Sequence, residues 1–514
     1  MKKFSAVFSI FLSVAFAVFA QTNTDASASR PMSLTDCIQE SLQHNFDLQI
    51  DRINPQISLF GLRGAYSGYD PTFNISGEHD HSSSATDTNG ATITTLTSTN
   101  FVLFPRTATD ANIFKSDVGG ALPWGLQYDL VAAAEQDSGR NFFGTTNINS
   151  SFGKSTDGSV EVDLTQHLLK DFWIDSTRLT IRVAKNRLKY SEQGLRQQVI
   201  ATVTSVANAY YELIFAQQNV QVQQEALNLA QTQLDQDNQR VQIGTLAPLS
   251  VQQDQSQVAQ NRANLIAAQS TFNTDQNTLK NLLTDNYSKW HDADIQPSQT
   301  LTAPAQSFDL QDSWSKGMTE RPDLLQARLD VEKQGIQLKF DQNQLFPTLD
   351  LIGSYGYAGS SEGYGGTFDE VRSGDRPYYT YGAKLSLPLG NIGARNTYKS
   401  DKVTKTQLLL TLKQLEQTIM VQIDNIVKQA QSDYQSVEAT REARTYAEAA
   451  LEAEQKTYAV GKATTFEVLQ FQNTLTTARG AEIRALANYE EDLSNLALQE
   501  GSTLERNGID LDIK

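Results

Sequence analysis

Apolar residues fall seven apart over a long stretch of the chain: Val199, Val206, Leu213, Val220, Leu227, Leu234 and Val241, then Val251, Val258, Leu265, Phe272 and Leu279. A seven-residue apolar repeat held this long predicts a coiled-coil seam. Ile243-Gly244-Thr245-Leu246-Ala247-Pro248 separates the two runs. Glycine just past a helix end supplies a left-handed cap, and proline suits the first turn of the next helix. The pattern therefore predicts a helical hairpin over 176–286 that turns at Gly244. A helix over 176–243 would be roughly 100 Å long at about 1.5 Å per residue, longer than an ordinary globular domain requires.

The turn has a twin. Val460-Gly461-Lys462-Ala463-Thr464-Thr465-Phe466-Glu467-Val468 matches the segment from Ile243 to Val251 at a displacement of 217. Nearer the start the displacement is 276: Leu34, Asp36, Asp47, Leu48, Arg52 and Leu62 fall on Leu310, Asp312, Asp323, Leu324, Arg328 and Leu338, and Pro71-Thr72 on Pro347-Thr348. The chain reads as a duplication, with repeat 1 over 33–286, a linker with Pro297 and Pro304 over 287–308, repeat 2 over 309–500, and a tail over 501–514. The two displacements differ by 59, so repeat 1 carries that many additional residues in its β-region, as enlarged loops or an extra hairpin.

Within each repeat the period changes from helical to alternating. Repeat 1 begins with a helix over 33–68, followed by strands within 71–165, including segments near 112–122, 126–136 and 159–165. Repeat 2 has a helix over 309–344, a strand over 347–357, a Gly/Tyr-rich loop over 358–377, a strand over 378–388, and a hairpin of 393–459 and 464–500. Short alternating strands with polar loops fit an outer-membrane barrel and equally a soluble β-domain. In each repeat the two shorter helices together match the long one in length, so each repeat can form a two-stranded column.

Residues 1–20 have Lys2 and Lys3, an apolar run over 4–19, and small residues ending Val18-Phe19-Ala20, as in a cleaved secretory signal. Residues 21–32 read as a disordered lead. No later segment has a long uninterrupted apolar run, so no membrane-spanning helix is expected. Cys37 is the single cysteine, which excludes an intramolecular disulfide; its setting is that of a plain helical cysteine. The net charge of −17, with basic residues scattered, argues against a nucleic-acid partner.

No enzyme constellation emerges, and no cofactor or metal site is expected. His79-Asp80-His81 lacks further ligands. Gly363-Tyr364-Gly365-Gly366 lies between strands, with no following helix to make it a phosphate cradle.

These motifs together resemble the TolC-like outer membrane efflux proteins. Residues 34–77 resemble the family's opening segment, with Asn45-Phe46-Asp47-Leu48 in one copy and Arg321-Pro322-Asp323-Leu324 in the other. The segment from Tyr458 to Leu469 resembles the family's turn "Tyr-x-x-Gly-x-x-Thr-x-x-Asp-Val-Leu". His167 stands where the family's Gln-Pro-Leu has proline, and Pro388 keeps it. The resemblance implies a mainly α protein with a β-barrel part: a homotrimer whose transmembrane β-barrel continues into a long periplasmic α-helical coiled-coil tunnel. It implies an exit duct for a tripartite efflux or type I secretion system, sited in the outer membrane among its lipids. Its partners would be a periplasmic adaptor protein and an RND-type or ABC-type inner-membrane pump. A structural periplasmic coiled-coil or adaptor protein is the alternative. Glu467 matches an acidic aperture position of the family; Gln470 replaces a second acid, and Ser250 is the repeat-1 counterpart of Glu467. Gly244 and Gly461 would be the hairpin tips that meet the adaptor. Tyr378, Tyr379 and Tyr381 are candidates for anchors at the lipid interface.

Overall fold

The computed structural model describes residues 29–85, 106–143 and 148–510. The signal segment 1–20, the lead up to residue 28, and the tail residues 511–514 lie outside the described residues.

The chain begins with β1 (Ser29–Met32), α1 (Leu34–His44), α2 (Phe46–Asp51), α3 (Ile53–Ala65) and a short 3-10 turn. Next come β2 (Thr72–Ala85), β3 (Arg106–Ala121), β4 (Leu126–Phe143) and β5 (Ile148–His167). The first hairpin is α4 (Ser176–Gln242) and α5 (Pro248–Leu283), followed by α6 (Tyr287–Trp290) and β6 (Asp294–Pro297). Repeat 2 comprises α7 (Leu310–Glu320), α8 (Pro322–Asn343), β7 (Thr348–Ser361), α9 (Tyr364–Ser373), β8 (Pro377–Ser386), α10 (Ile392–Ala459) and α11 (Thr465–Glu500). A final turn, α12 (Thr503–Arg506), follows. These elements form two compact units, one of residues 1–49, 201–308 and 426–498, the other of 50–200, 309–425 and 499–514.

In the first unit, Val206, Tyr210 and Leu213 of α4 and Leu279 and Leu283 of α5 are buried completely. The seam is narrow and partly polar. Leu265 and Leu279 of the expected apolar row are buried on α5, and so are Asp254, Asn261 and Ala268, each three positions on from a member of that row. The helix α4 holds the one stretch, among the described residues, apolar and long enough to cross a membrane. Most of it is buried inside the protein, as a core helix is.

The second unit carries a six-stranded antiparallel sheet in the order β2-β3-β4-β5-β7-β8. β2 and β7 follow the matching helices of the two repeats, and β5 and β8 lead into the two long helices. The additional residues of repeat 1 therefore include β3 and β4. Cross-strand register places Phe73, Val118, Leu130, Val162, Tyr355 and Tyr379 in one row on one face. The next row on that face holds Ile75, Ala132, Val160 and Tyr357. Phe73, Ile75 and Tyr379 are exposed despite their size. The opposite face carries Asp117, Asp129, Glu135, Glu161 and Asp163, together with Lys115 and Lys384. Tyr378 lies on this polar face, where its hydroxyl donates to Glu161 at 2.8 Å. Tyr379 and Tyr381 stack on the apolar face with ring centroids 6.4 Å apart.

Several sequence expectations are corrected. Residues 29–32 of the lead are not disordered, and the linker is not irregular throughout. β1 pairs in parallel with β6, because Met32 O accepts from both Tyr210 Oη and Ser298 N at 3.0 Å and Ile295 is wholly buried. The helix over 33–68 is broken at Asn45, whose backbone is extended; its amide donates to Leu282 O at 3.1 Å and its Oδ1 accepts from Leu48 N at 3.2 Å. The matching helix of repeat 2 breaks at Arg321, which precedes Pro322 and is likewise extended, as the residue before proline prefers. The loop over 358–377 contains α9. Gly363 thus is followed by a helix, with Thr367 N bonding to Gly363 O at 3.1 Å. That helix seats against the sheet: Thr367 is buried, and its hydroxyl donates to Thr156 O at 2.9 Å.

Gly317 on α7 marks a close helix contact. A Cβ there would lie 2.5 Å from Ile423 Cδ1 and 3.3 Å from Ile419 Cγ2. Alanine needs only the flexible end of Ile423 to shift, whereas a branched side chain also meets Ile419, which is fully buried. We expect Gly317→Val to destabilise by about 1–3 kcal/mol and Gly317→Ala by clearly less, measured by thermal unfolding of the detergent-solubilised protein.

Candidate functional site at the hairpin tips

The two turns have the same chemistry. Gly244 has φ +79° and Gly461 φ +75°, a left-handed conformation that glycine adopts without strain. Gly244 N bonds to Val241 O at 3.0 Å and Thr245 N to Arg240 O at 2.9 Å; Gly461 N bonds to Tyr458 O and Lys462 N to Thr457 O, both at 3.0 Å. Each is a Schellman cap that satisfies the last carbonyls of the long helix. Ile243, Leu249, Val460 and Phe466 around the tips are exposed.

Beyond the turns the repeats differ. Thr464 caps α11, and Glu467 closes the box: its Oε2 accepts from Thr464 N at 2.8 Å and from Thr464 Oγ1 at 2.9 Å, while Glu467 N donates to Thr464 Oγ1 at 3.3 Å. These bonds to the Thr464 backbone and side chain hold the carboxyl below its usual range. Glu467 and Gln470 lie one turn apart on α11 and both are exposed. Gln470 lines an open groove with Gln257, Phe466 and Asn473, where Gln257 Nε2 donates to Asn473 Oδ1 at 2.8 Å. Ser250 is half-buried on α5, and its N donates to Ala247 O at 3.1 Å. The α5 cap residue, Ala247, makes no side-chain cap bond. The structure thus puts Glu467 and Gln470 on one helix, but it does not gather them with Ser250 into one cluster within the chain.

Sequence reasoning missed the group that ties the two hairpins together. Asp237 on α4 is fully buried and accepts three bonds: from Tyr458 Oη at 2.5 Å, Thr465 Oγ1 at 3.0 Å and Gln233 Nε2 at 3.1 Å. Arg240, one turn on, sits over the Tyr458 ring at 4.4 Å. Asp254 on α5 is also fully buried, and neither of its oxygens finds a donor among the described residues. Burial, then the nearby Asp237 charge, pushes the Asp254 carboxyl up to about 7. Below about that pH the acid keeps its proton beside the Asp237 carboxylate. A signal was available: each aspartate lies three positions after a member of the apolar row, Leu234 and Val251, on the second line of a heptad seam.

Further along the same bundle, Arg479 bridges Glu225 on α4 at 2.5 Å and Glu448 on α10 at 3.0 Å, and Arg484 reaches Glu212 at 2.8 Å. Burial, then the Glu212 charge, raises Glu491 to about 7; burial, then a hydrogen bond with Asp433, does the same for Asp492.

Among the described residues no group of three or more His, Cys, Asp or Glu side chains converges as a metal site would require. His79 Nδ1 contacts Asn112 Oδ1 at 2.8 Å and His81 Nδ1 contacts Asp110 Oδ1 at 2.5 Å. Cys37 is buried on α1, and burial pushes its thiol up to about 12.

Asp254 makes stability depend on pH with a defined sign. The unfolded chain releases this proton at about pH 3.9, the folded protein at about 7. Between those values folding takes up a proton, so this group's contribution falls as pH rises through the window and levels off above it. We expect Asp254→Asn to gain stability relative to the parent between pH 5 and pH 8, by on the order of 1–3 kcal/mol. Thermal melts at the two pH values check this; an equal shift at both would contradict it.

The comparisons with known proteins agree with this architecture. The chain is 25% identical over 299 residues to the outer membrane protein TolC of Escherichia coli, covering 56% of this chain and 58% of TolC, just over half of that relative's length. It is 25% identical over 360 residues to the pyoverdine export outer membrane protein OpmQ of Pseudomonas aeruginosa, covering 68% and 70%. The fold is similar to that of the Campylobacter jejuni CmeC outer membrane channel, with a TM-score of 0.63 at 14% identity over 94% of this chain and 90% of that one. The family described as "Outer membrane efflux protein" matches residues 128–284 and 315–501. With most of both repeats matched, the chain belongs to the outer membrane efflux protein family.

Proposed function

We propose that three copies of this chain assemble into a passive exit duct, coupled through a periplasmic adaptor to an inner-membrane pump. The outer-membrane location follows from family membership. The observation that carries the reading is the two-faced sheet. One face is apolar and exposed, the other polar and acidic, and the outer edges of β2 and β8 have no partner strand among the described residues. In hydrocarbon an open edge is prohibitive, because every backbone group must be paired. The sheet has an even number of antiparallel strands, so β8 of one copy meets β2 of the next antiparallel. Three copies of six strands would close a barrel of eighteen. The apolar face then meets lipid, and the acidic face lines the lumen.

The helices support the same assembly. Ile266, Leu410, Val421 and Tyr446 are exposed in the single chain, and neighbouring copies would cover them. With threefold symmetry Glu467 and Gln470 would form rings near the tips. One acid and one amide make a weaker cation filter than two acids. The Gly244 and Gly461 tips, with Ile243 and Val460 exposed beside them, would meet the adaptor. Drug efflux and type I protein secretion both fit such a duct.

Two measurements test this. Outer-membrane protein extracted in detergent should scatter light as a trimer; a soluble monomer or dimer would favour a coiled-coil scaffold instead. In planar bilayers the parent should pass cations in preference to anions, and Glu467→Lys should move the reversal potential toward anion preference without changing trimer yield. An unmoved reversal potential would place the constriction elsewhere.

A further inference from the structure

The connection between β7 and β8 does more than turn the chain. The helix α9 lies at the end of the sheet away from the points where α8 and α10 join it, and packs on the apolar face. Glycines make the seat: a Cβ on Gly158 would lie 2.8 Å from Thr367 Cγ2, and one on Gly359 would lie 2.6 Å from Thr367 O. Phe114 and Tyr364 meet edge to face at 5.8 Å. Between α9 and the sheet remains a cleft of about 180 Å³. Its side-chain walls are Ile75, Phe114 and Val160 from the sheet and Tyr364, Phe368 and Val371 from the helix. An apolar cavity of about 150 Å³ stays free of water and takes a hydrocarbon guest.

Three observations identify the guest. The cleft opens onto the same face as Phe73, Val162 and Tyr379, the face that meets lipid if the sheet is the wall of the barrel. It lies where that face changes character: the next row outward is His79, Asn112, Gln136, Thr156 and Ser361, all polar, as at the boundary between chains and headgroups. The Tyr364 hydroxyl is buried there with no hydrogen-bond partner among the described residues, a donor waiting for an oxygen. We propose that this cleft holds one acyl chain of a membrane lipid, with an ester carbonyl of that lipid accepting from Tyr364. The proposal rests on the barrel reading above.

The test places tryptophan at two positions and reconstitutes the protein in phosphatidylcholine vesicles whose acyl chains carry bromine, a contact quencher. Phe368→Trp reports the cleft and Val162→Trp the open apolar face; the signal is the emission each adds to that of the parent. Both should be quenched several-fold relative to unbrominated vesicles. Adding Ala132→Phe, which fills the cleft from the sheet side, should restore the emission of Phe368→Trp; Val160→Phe serves if Ala132→Phe fails to assemble. Quenching at Val162→Trp alone would mean that the protein fills its own cleft, overturning this proposal while leaving the barrel intact. Quenching at Phe368→Trp that a filled cleft does not relieve would mean that the tryptophan merely lies in lipid, and would also overturn it. Quenching at neither position would remove the sheet from the bilayer, and the barrel reading with it.

Discussion

Val206, Tyr210 and Leu213 on α4 and Ile419 and Ile423 on α10 lose essentially all contact with solvent, while much of each long helix stays polar and wet. A stripe this narrow cannot hold a helix by itself, since most helix stability in water comes from packing an apolar face. Each helix is therefore stable only against its neighbours. The short helices α5 and α11 return along the long ones because the Schellman caps at Gly244 and Gly461 reverse the chain at fixed positions.

A thin seam magnifies the effect of any polar residue within it. Asp237 is tolerated because Tyr458, Thr465 and Gln233 all donate to it. Asp254 has no such donors among the described residues and is tolerated by holding its proton up to about pH 7. A buried polar network of this kind specifies which residues face each other better than an aliphatic seam does, because a slipped register would leave a carboxylate unsatisfied. It joins α4 to both helices of the second hairpin, through Tyr458 on one and Thr465 on the other. The duplication built two similar hairpins; this network makes their pairing particular.

The sheet follows a different pattern. Along β7, Leu351, Tyr355 and Tyr357 alternate with Asp350, Ser354 and Gly356, a period of two with the apolar set on the exposed side. In water that arrangement would be unfavourable. In a bilayer it is what a strand requires. The glycines at 158 and 359 depart from the pattern in a useful way, since they let α9 approach the backbone where bulkier residues would hold it off.

The sequence alone was enough for the duplication, the two long hairpins, both turns and the alternating strands, because these are periodic or local features: heptads, glycine caps, and a period of two. It also carried the family resemblance, and it showed from two unequal displacements that repeat 1 has extra β-structure. It did not reveal the pairing of β1 with β6, the break at Asn45, the helix α9 or the Asp237–Asp254 contact. Each of those depends on a partner distant along the chain: Ser298 and Tyr210 for Met32, Leu282 for Asn45, Thr156 for Thr367, Tyr458 for Asp237. Local propensity at these positions is weak or points elsewhere. Only the tertiary structure brings the partners within hydrogen-bond distance, and the burial that makes those bonds decisive exists only once the chain has folded.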